Sequence, residues 1–285
     1  MRYLYYPGCS LKGTARDYEE SLLAVAPALG MELQEVEGWR CCGASAARAK
    51  DRKWAVSLSA ATLARTQDLG MEILMPCSSC YANHLRVLTD LEKEGGLGAR
   101  LGLARPPRVK HLLEVLALDL GEEAIKERVV RPLEGLRVLP YYGCLVARPF
   151  PMGGKESLEN PYSLEKLIRA SGASPLSYPE KLDCCGGPLL FSRERVALRL
   201  AAGILREAKR PSPDCILVVC PLCHLMLDAK QRAASRESKE DFRIPVLYVT
   251  QLLGLALGLS PRKLSLHRLI TSPAPLLAKL ALGRA

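Results

Sequence analysis

With 285 residues, 48% of them hydrophobic and 25% charged, the chain is long enough for one large or two ordinary domains and too apolar to be disordered. Its net charge of +10 is open to an anionic substrate or an acidic partner, but no helix-turn-helix, RNA-recognition signature or basic repeat favours nucleic acid. Aromatic residues make up only 5%, so aliphatic side chains must fill the core, while cysteine is unusually frequent, with 11 copies.

"RYLYY" from Arg2 predicts a short buried strand, and "ARDYEESLLAVAPAL" (15–29) an amphipathic helix. A strand near "ELQEVE" (32–37) follows, then one long helix from about Ala46 to Leu69. "MEILM" (71–75) reads as a strand running into a Cys-x-x-Cys and the helix "YANHLRVLTDLEK" (81–93). The second half brings strands "RVLPYY" (137–142) and "CILVV" (215–219). Its helices are "SLEKLIRAS" (163–171), "RERVALRLAAGILREAKR" (193–210) and "HLMLDAKQRA" (224–233). No segment reaches the roughly 20 apolar residues of a membrane span. The apolar run at the N-terminus is too short for a secretory leader, and charges follow at once. The expected setting is therefore cytoplasmic, where cysteines serve metals or catalysis more often than disulfides.

The chain is a tandem repeat. "YYPGCS" (5–10), "WRCCGAS" (39–45) and "MPCSSCY" (75–81) return as "YYGCLV" (141–146), "LDCCGG" (182–187) and "VCPLCH" (219–224). Thirty-five residues separate Cys42 from Cys77, and the same number separate Cys185 from Cys220. "KHLLEVLALDLG" (110–121) likewise lines up with "TQLLGLALGLS" (250–260). Such self-similarity means two copies of one structural unit. Alternating strands and helices make each copy an α/β unit with a small, mostly parallel sheet flanked by helices. The expected organisation is two pseudo-symmetric α/β domains, 1–135 and 136–260, followed by a basic extension, 261–285. Ligands of such folds gather at the C-terminal ends of strands, where the cysteine elements fall. The copies differ in one spacing: 32 residues from Cys9 to Cys41, but 40 from Cys144 to Cys184. The surplus lies in "ARPFPMGGKESLENPYS" (147–163), a loop that is either a wall of a site or a tolerated insertion.

Ten of the cysteines obey the repeat: Cys9, Cys41, Cys42, Cys77 and Cys80, then Cys144, Cys184, Cys185, Cys220 and Cys223. Cys215, whose counterpart is Glu72, reads as a packed strand thiol. Structural zinc and an ordinary cubane cluster each take four ligands, so five leaves one over in both copies. Adjacent cysteines suit a multi-metal cluster better than one ion, since neighbouring side chains tend to point apart. Gly43 and Gly186 after each pair allow close backbone approach or a positive φ, and their missing side chains leave room for sulfide. Ligand counting thus reaches two iron–sulfur sites that are not ordinary cubanes. Two zinc sites, one zinc beside one cluster, and redox dithiols remain open alternatives.

The whole pattern resembles the cysteine-rich CCG domain, and most closely the B-type subunit of heterodisulfide reductase. "YYPGCSLKGTARDYEES", "WRCCGAS", "PCSSCY", "YYGCLVARP", "CCGG" and "VCPLCHLMLDAKQ" carry that resemblance to about residue 258. It implies a noncubane [4Fe–4S] cluster on each set of five cysteines and the reductive cleavage of a disulfide between them. It also implies electrons from a ferredoxin-like partner of the same complex, with a flavin-bearing partner or a membrane cytochrome further upstream. Attachment to the inner face of a membrane would then go through a partner. CCG domains also occur in electron-relay components of succinate and 2-hydroxyacid oxidoreductases, the main alternative; a zinc-stabilised scaffold is the lesser one.

The family's substrate is anionic, which makes Lys12, Arg16, Arg48, Arg148 and Lys155 candidate contacts, against a plain reading as solvated charges. His84, four residues after Cys80, and His224, next to Cys223, could reach a cluster, but the second copy has no histidine at the place of His84. The tail carries Arg262, Lys263, Arg268, Lys279 and Arg284 and no acid. It reads as a segment for a partner or an anionic membrane surface, or as a partly ordered terminus.

Overall fold

A computed structural model describes residues 1–44, 46–93, 96–148 and 156–281. In chain order the first half runs β1 (Arg2–Tyr5), α1 (Gly8–Leu11), α2 (Arg16–Ala28), β2 (Glu32–Glu35), α3 (Ala46–Lys50), α4 (Arg52–Thr66), β3 (Ile73–Met75), α5 (Ser78–Lys93), α6 (Leu97–Leu101), β4 (Val109–His111), α7 (Leu112–Glu114) and α8 (Glu122–Lys126). The second runs β5 (Arg137–Tyr141), α9 (Ser163–Ala170), β6 (Ser174–Pro175), α10 (Glu194–Lys209), β7 (Cys215–Val218), α11 (Pro221–His224), α12 (Gln231–Ser238), β8 (Val246–Tyr248), α13 (Val249–Ala256) and, in the tail, α14 (Ala274–Lys279). Each half forms a four-stranded, all-parallel sheet, ordered β2-β1-β3-β4 and β6-β5-β7-β8. The expected pair of α/β units is present. β3 and β7 are buried along their whole length, as continuous apolar strands of parallel sheets are.

Three edge strands escape a reading by pattern. β4 and β8 have three residues each and pass without a turn into helix, so strand and helix merge into one apolar run. β6 has only two residues. The helix expected over 46–69 breaks at Asp51, which is extended (φ −155°, ψ 123°) and accepts a hydrogen bond from the Lys53 amide at 2.8 Å. Asp51 is thus the N-cap of α4, a local signal that helical periodicity conceals. The helix expected over 224–233 also breaks, into α11, a wider π-helical turn (225–229) and α12.

The two units lean on each other reciprocally. α2 packs against α13, and α9 packs against the helical segment 112–120. Ser21 and Thr250 share a hydrogen bond at 2.7 Å. Tyr18 stacks on Tyr248 with centroids 4.0 Å apart. The buried Tyr18 hydroxyl faces the carbonyls of Pro76 (3.5 Å) and Val219 (3.4 Å), each one residue before a Cys-x-x-Cys.

The tail to residue 281 is part of the fold and not a free basic segment. Leu264, Leu266, Leu276 and Leu277 are buried. Ser265 and Arg268 reach Glu20 in the first unit, and the Ile270 and Thr271 amides donate to Asp228 in the second, both at 2.8 Å. Lys279 pairs with Asp214 at 2.7 Å. An apolar strap fixed at both ends explains why its basic residues do not form a separate face. Cys215 is fully buried, a packed strand thiol as expected.

Gly43 (φ +71°) and Gly186 (φ +79°) both adopt the left-handed region. A Cβ on Gly186 would lie 2.8 Å from the Ala197 Cα in α10, and one on Gly43 3.2 Å from the Ala55 Cα in α4. The missing side chain therefore admits a helix backbone, not the sulfide expected from the Cys-Cys-Gly motif.

This packing predicts three stability changes. Leu264→Ala empties a buried position against Gly254 and should cost about 2–5 kcal/mol in denaturant unfolding. Gly186→Ala should cost at least about 1–2 kcal/mol from its backbone angle alone. Gly203→Ala, mid-helix with open space around it, should instead gain about 0.5–1 kcal/mol. Equal melting temperatures for the two glycine-to-alanine variants would contradict the close approach at Gly186.

Candidate metal centre

Each sheet delivers its cysteines by the same route. β1 and β5 end beside Cys9 and Cys144; β3 and β7 end beside Cys77 and Cys220. Cys80 and Cys223 lie in the first turn of the helices that follow, and the Cys-Cys pairs sit in loops after β2 and β6. All ten thiols thus collect near the C-terminal ends of the strands.

In the first set, the Sγ atoms of Cys9 and Cys41 are 3.7 Å apart, and those of Cys42 and Cys80 are 3.4 Å apart. Cys42, Cys77 and Cys80 are buried, while Cys9 and Cys41 reach solvent. In the second set, Cys185, Cys220 and Cys223 are buried, Cys144 is half-buried and Cys184 is exposed. The thiols run on from one to the next, Cys41 meeting both Cys9 and Cys42 and Cys80 both Cys42 and Cys77, and among the described residues no three His, Cys, Asp or Glu side chains close on a single ion. Hydrogen bonds from Cys42 and Cys9 hold the Cys41 thiol down to about 2, and one from Cys144 holds Cys184 down to about 6. The donors Cys9 and Cys144 are pushed up in turn. In each repeat the first cysteine of the Cys-Cys pair is therefore ready to bind as thiolate.

The sets touch. Interaction with Cys220 across the junction between the units pushes the Cys77 thiol up, and Cys223 together with Cys77 holds Cys220 down. Ser78 and Ser79 of the first unit line one small cavity with Cys144, Cys185 and Cys220 of the second.

The positions of the loops are secured by polar contacts. Asn83 Nδ2 donates to the Cys42 carbonyl at 2.6 Å, and Arg48 reaches Asn83 Oδ1 at 3.4 Å. In the second unit, the buried Lys181 binds Glu165 at 2.7 Å and the Pro161 carbonyl at 2.6 Å just before Cys184. Sequence reading missed Gly8 (φ +66°) and Gly143 (φ +68°), where a Cβ would lie 3.2 Å from Cys80 Sγ and 2.8 Å from Cys223 Sγ. Their signal was present, a glycine immediately before the first cysteine of both copies. These two glycines, rather than Gly43 and Gly186, keep space beside the thiols.

The candidate cations fare differently. Lys12 is held by Glu19 (2.7 Å) and Glu35 (2.8 Å). Arg148 is held by Glu159 (3.1 Å) and the Leu158 carbonyl (3.0 Å). Arg16 is exposed and lines a cleft of about 370 Å³ with Asp17, His224, Tyr248 and Arg268. Lys155 lies outside the described residues, as does the rest of 149–155 in the long loop. Arg86, which sequence reading passed over, is half-buried and close enough to Arg48 and Cys144 to feel both charges; burial and Arg48 push it down. It projects from α5 of the first unit toward the second set.

His224 Nε2 donates to the Val246 carbonyl (3.1 Å), and the ring stacks on Tyr248 with centroids 4.2 Å apart, a packing role. His84 is fully buried, and burial pushes it down to about 4. Its Nδ1 lies 2.8 Å from the Cys80 carbonyl, and its Nε2 has no partner among the described residues. Two sets of five thiols, in each of which at least one is held toward thiolate, fit the donor chemistry of an iron–sulfur group.

The model of the CCG cysteine-rich domain family matches twice, over residues 3–84 and 138–228. The chain is 35% identical, over 93% of its length and 95% of the relative's, to the 8-methylmenaquinol:fumarate reductase membrane anchor subunit of Wolinella succinogenes. It is 28% identical, over 96% and 95%, to the B-type subunit of the ferredoxin/F(420)H(2)-dependent CoB-CoM heterodisulfide reductase of Methanosarcina acetivorans. A crystal structure of a hypothetical protein from Helicobacter pylori shares the fold (TM-score 0.76, 13% identity), covering 95% of this chain, which spans about half (52%) of that one. The duplicated motifs, the paired sheets and the two matched regions agree: the chain belongs to the CCG cysteine-rich domain family, with the B-type subunit of heterodisulfide reductase among its relatives.

Proposed function

We propose that this chain is the two-site iron–sulfur component of a reductase complex, and that it cleaves an anionic disulfide reductively. The observation that carries the reading is the cavity in which Ser78 and Ser79, between Cys77 and Cys80 of the first set, meet Cys144, Cys185, Cys220 and Cys223 of the second. Each set would hold one [4Fe–4S] cluster, noncubane because five donors exceed a cubane's four. When bound, such clusters supply electrons one at a time, and a disulfide needs two. The balanced step is R–S–S–R′ plus two electrons and two protons giving R–SH and R′–SH, with a ferredoxin-like partner as reductant. Arg86, near Cys144, and its neighbour Arg48, both without an acidic partner among the described residues, would receive the substrate's negative group. Thiols spread in a row, with no three converging on one point among the described residues, support iron–sulfur over zinc, since a lone ion calls for convergence.

A second reading is relay: electrons pass through this chain to a partner that reduces another substrate. The 35% identity to a component of a fumarate reductase favours it. Among the described residues no helix is long and apolar enough to cross a membrane, so membrane attachment in such a complex would go through a partner.

Purified without oxygen, the chain should carry about eight irons and matching sulfide, four for each of two clusters. Cys185→Ser should remove one cluster's paramagnetic signal and leave the other. Adding anionic disulfides should shift the signals and consume two electrons per disulfide. Zinc without sulfide would overturn both redox readings. Clusters indifferent to every disulfide but oxidised by a fumarate-reducing partner would select relay.

A further inference from the structure

We propose that His84 Nε2 is a sixth donor at the first site, so that five thiolates and one imidazole bind iron there, whereas the second site offers thiolates alone. The inference rests on the iron–sulfur reading above.

Three observations converge on it. The Cys80 carbonyl can only accept, so His84 Nδ1 carries the ring proton, and neutral imidazole then presents a lone pair at Nε2. That atom is buried and has no hydrogen-bond partner among the described residues. A buried polar atom left unpaired is unfavourable, and of the two such atoms among the described residues, Thr62 Oγ1 and His84 Nε2, only the imidazole nitrogen is a metal donor, which a group from outside the polypeptide would satisfy. A histidine that gives its other N–H to a backbone carbonyl has the usual arrangement of a metal-ligating imidazole.

Placement agrees. His84 follows Cys80 by one helical turn on the same face of α5, and helix side chains lean toward the N-terminus, here the Cys-x-x-Cys end. The ring lies edge-on to Tyr6, centroids 5.1 Å apart, and the thiols of Cys80, Cys42, Cys41 and Cys77 all lie close enough to act on the Tyr6 hydroxyl. That hydroxyl is spent on the Arg40 carbonyl at 2.5 Å and cannot serve Nε2.

The other histidines do not compete. His111 uses Nε2 on Ser78 (3.2 Å) and receives the Leu113 amide at Nδ1 (3.1 Å). His224 is engaged by Val246, and His267 lies exposed in the tail. At the repeat-related position, 143 residues after His84, stands the buried Leu227, so the second site has no equivalent nitrogen. A mixed sulfur and nitrogen ligand set raises potential in other iron–sulfur centres, so the two sites should differ electronically although their cysteines match.

The test is pulsed EPR on the full chain, purified without oxygen and labelled with ¹⁵N-histidine. A strongly coupled histidine nitrogen is expected in one of the two cluster signals. It should persist in Cys185→Ser and vanish in His84→Leu and His84→Gln, with the second cluster's signal unchanged. Should both variants lose iron, the labelled wild-type and Cys185→Ser spectra still decide. Clusters present without a strongly coupled nitrogen, or a coupling that survives in either His84 variant, would overturn the proposal. A chain without iron or sulfide would instead overturn the iron–sulfur reading beneath it.

Discussion

Everything at the site depends on how the two units meet. Tyr18 lies at that meeting, stacked on Tyr248 and facing the carbonyls before both Cys-x-x-Cys segments. A buried hydroxyl between two carbonyls, and a ring on a ring, fix the distance between β3 and β7 far better than apolar contact alone would. One residue further along each strand, Cys77 and Cys220 come together. The exchange of helices, α2 on α13 and α9 on segment 112–120, makes this meeting a property of the whole fold. Neither unit presents the junction alone.

Duplication explains the symmetry of the thiols, and the departures from it carry the chemistry that is particular to this chain. Cys215 packs in a strand, whereas its counterpart Glu72 binds Lys110 at 2.8 Å on a more open flank. His84 has Leu227 as its counterpart, and the stacked pair His224–Tyr248 answers the edge-on pair Tyr81–His111 with the residue types exchanged. Arg86 belongs to the first unit but acts near Cys144 of the second. Two sites built on one plan therefore need not share one environment.

The ten cysteines, the repeat and the parallel α/β units were legible in the sequence because each signal is local or periodic. Edge strands of two or three residues were not, since they have no period of their own. The ordered tail was misread because its charges stand out in sequence, while Leu264, Leu266, Leu276 and Leu277 find partners only in three dimensions. Lys12 looked available until Glu19 and Glu35, seven and 23 residues away, were brought to it. The role of Gly43 and Gly186 was half legible: a positive φ could be anticipated from Cys-Cys-Gly, but not that the space was needed by α4 and α10. Which glycines face the thiols required the fold.

In the proposed function, two iron–sulfur clusters sit on either side of the junction between Cys77 and Cys220. Crystals grown without oxygen, measured with anomalous scattering at the iron edge, test it directly. The account predicts two separate groups of iron peaks, one within reach of Cys9, Cys41, Cys42, Cys77 and Cys80, the other of Cys144, Cys184, Cys185, Cys220 and Cys223. A single iron group, or peaks at the zinc edge in their place, would contradict it.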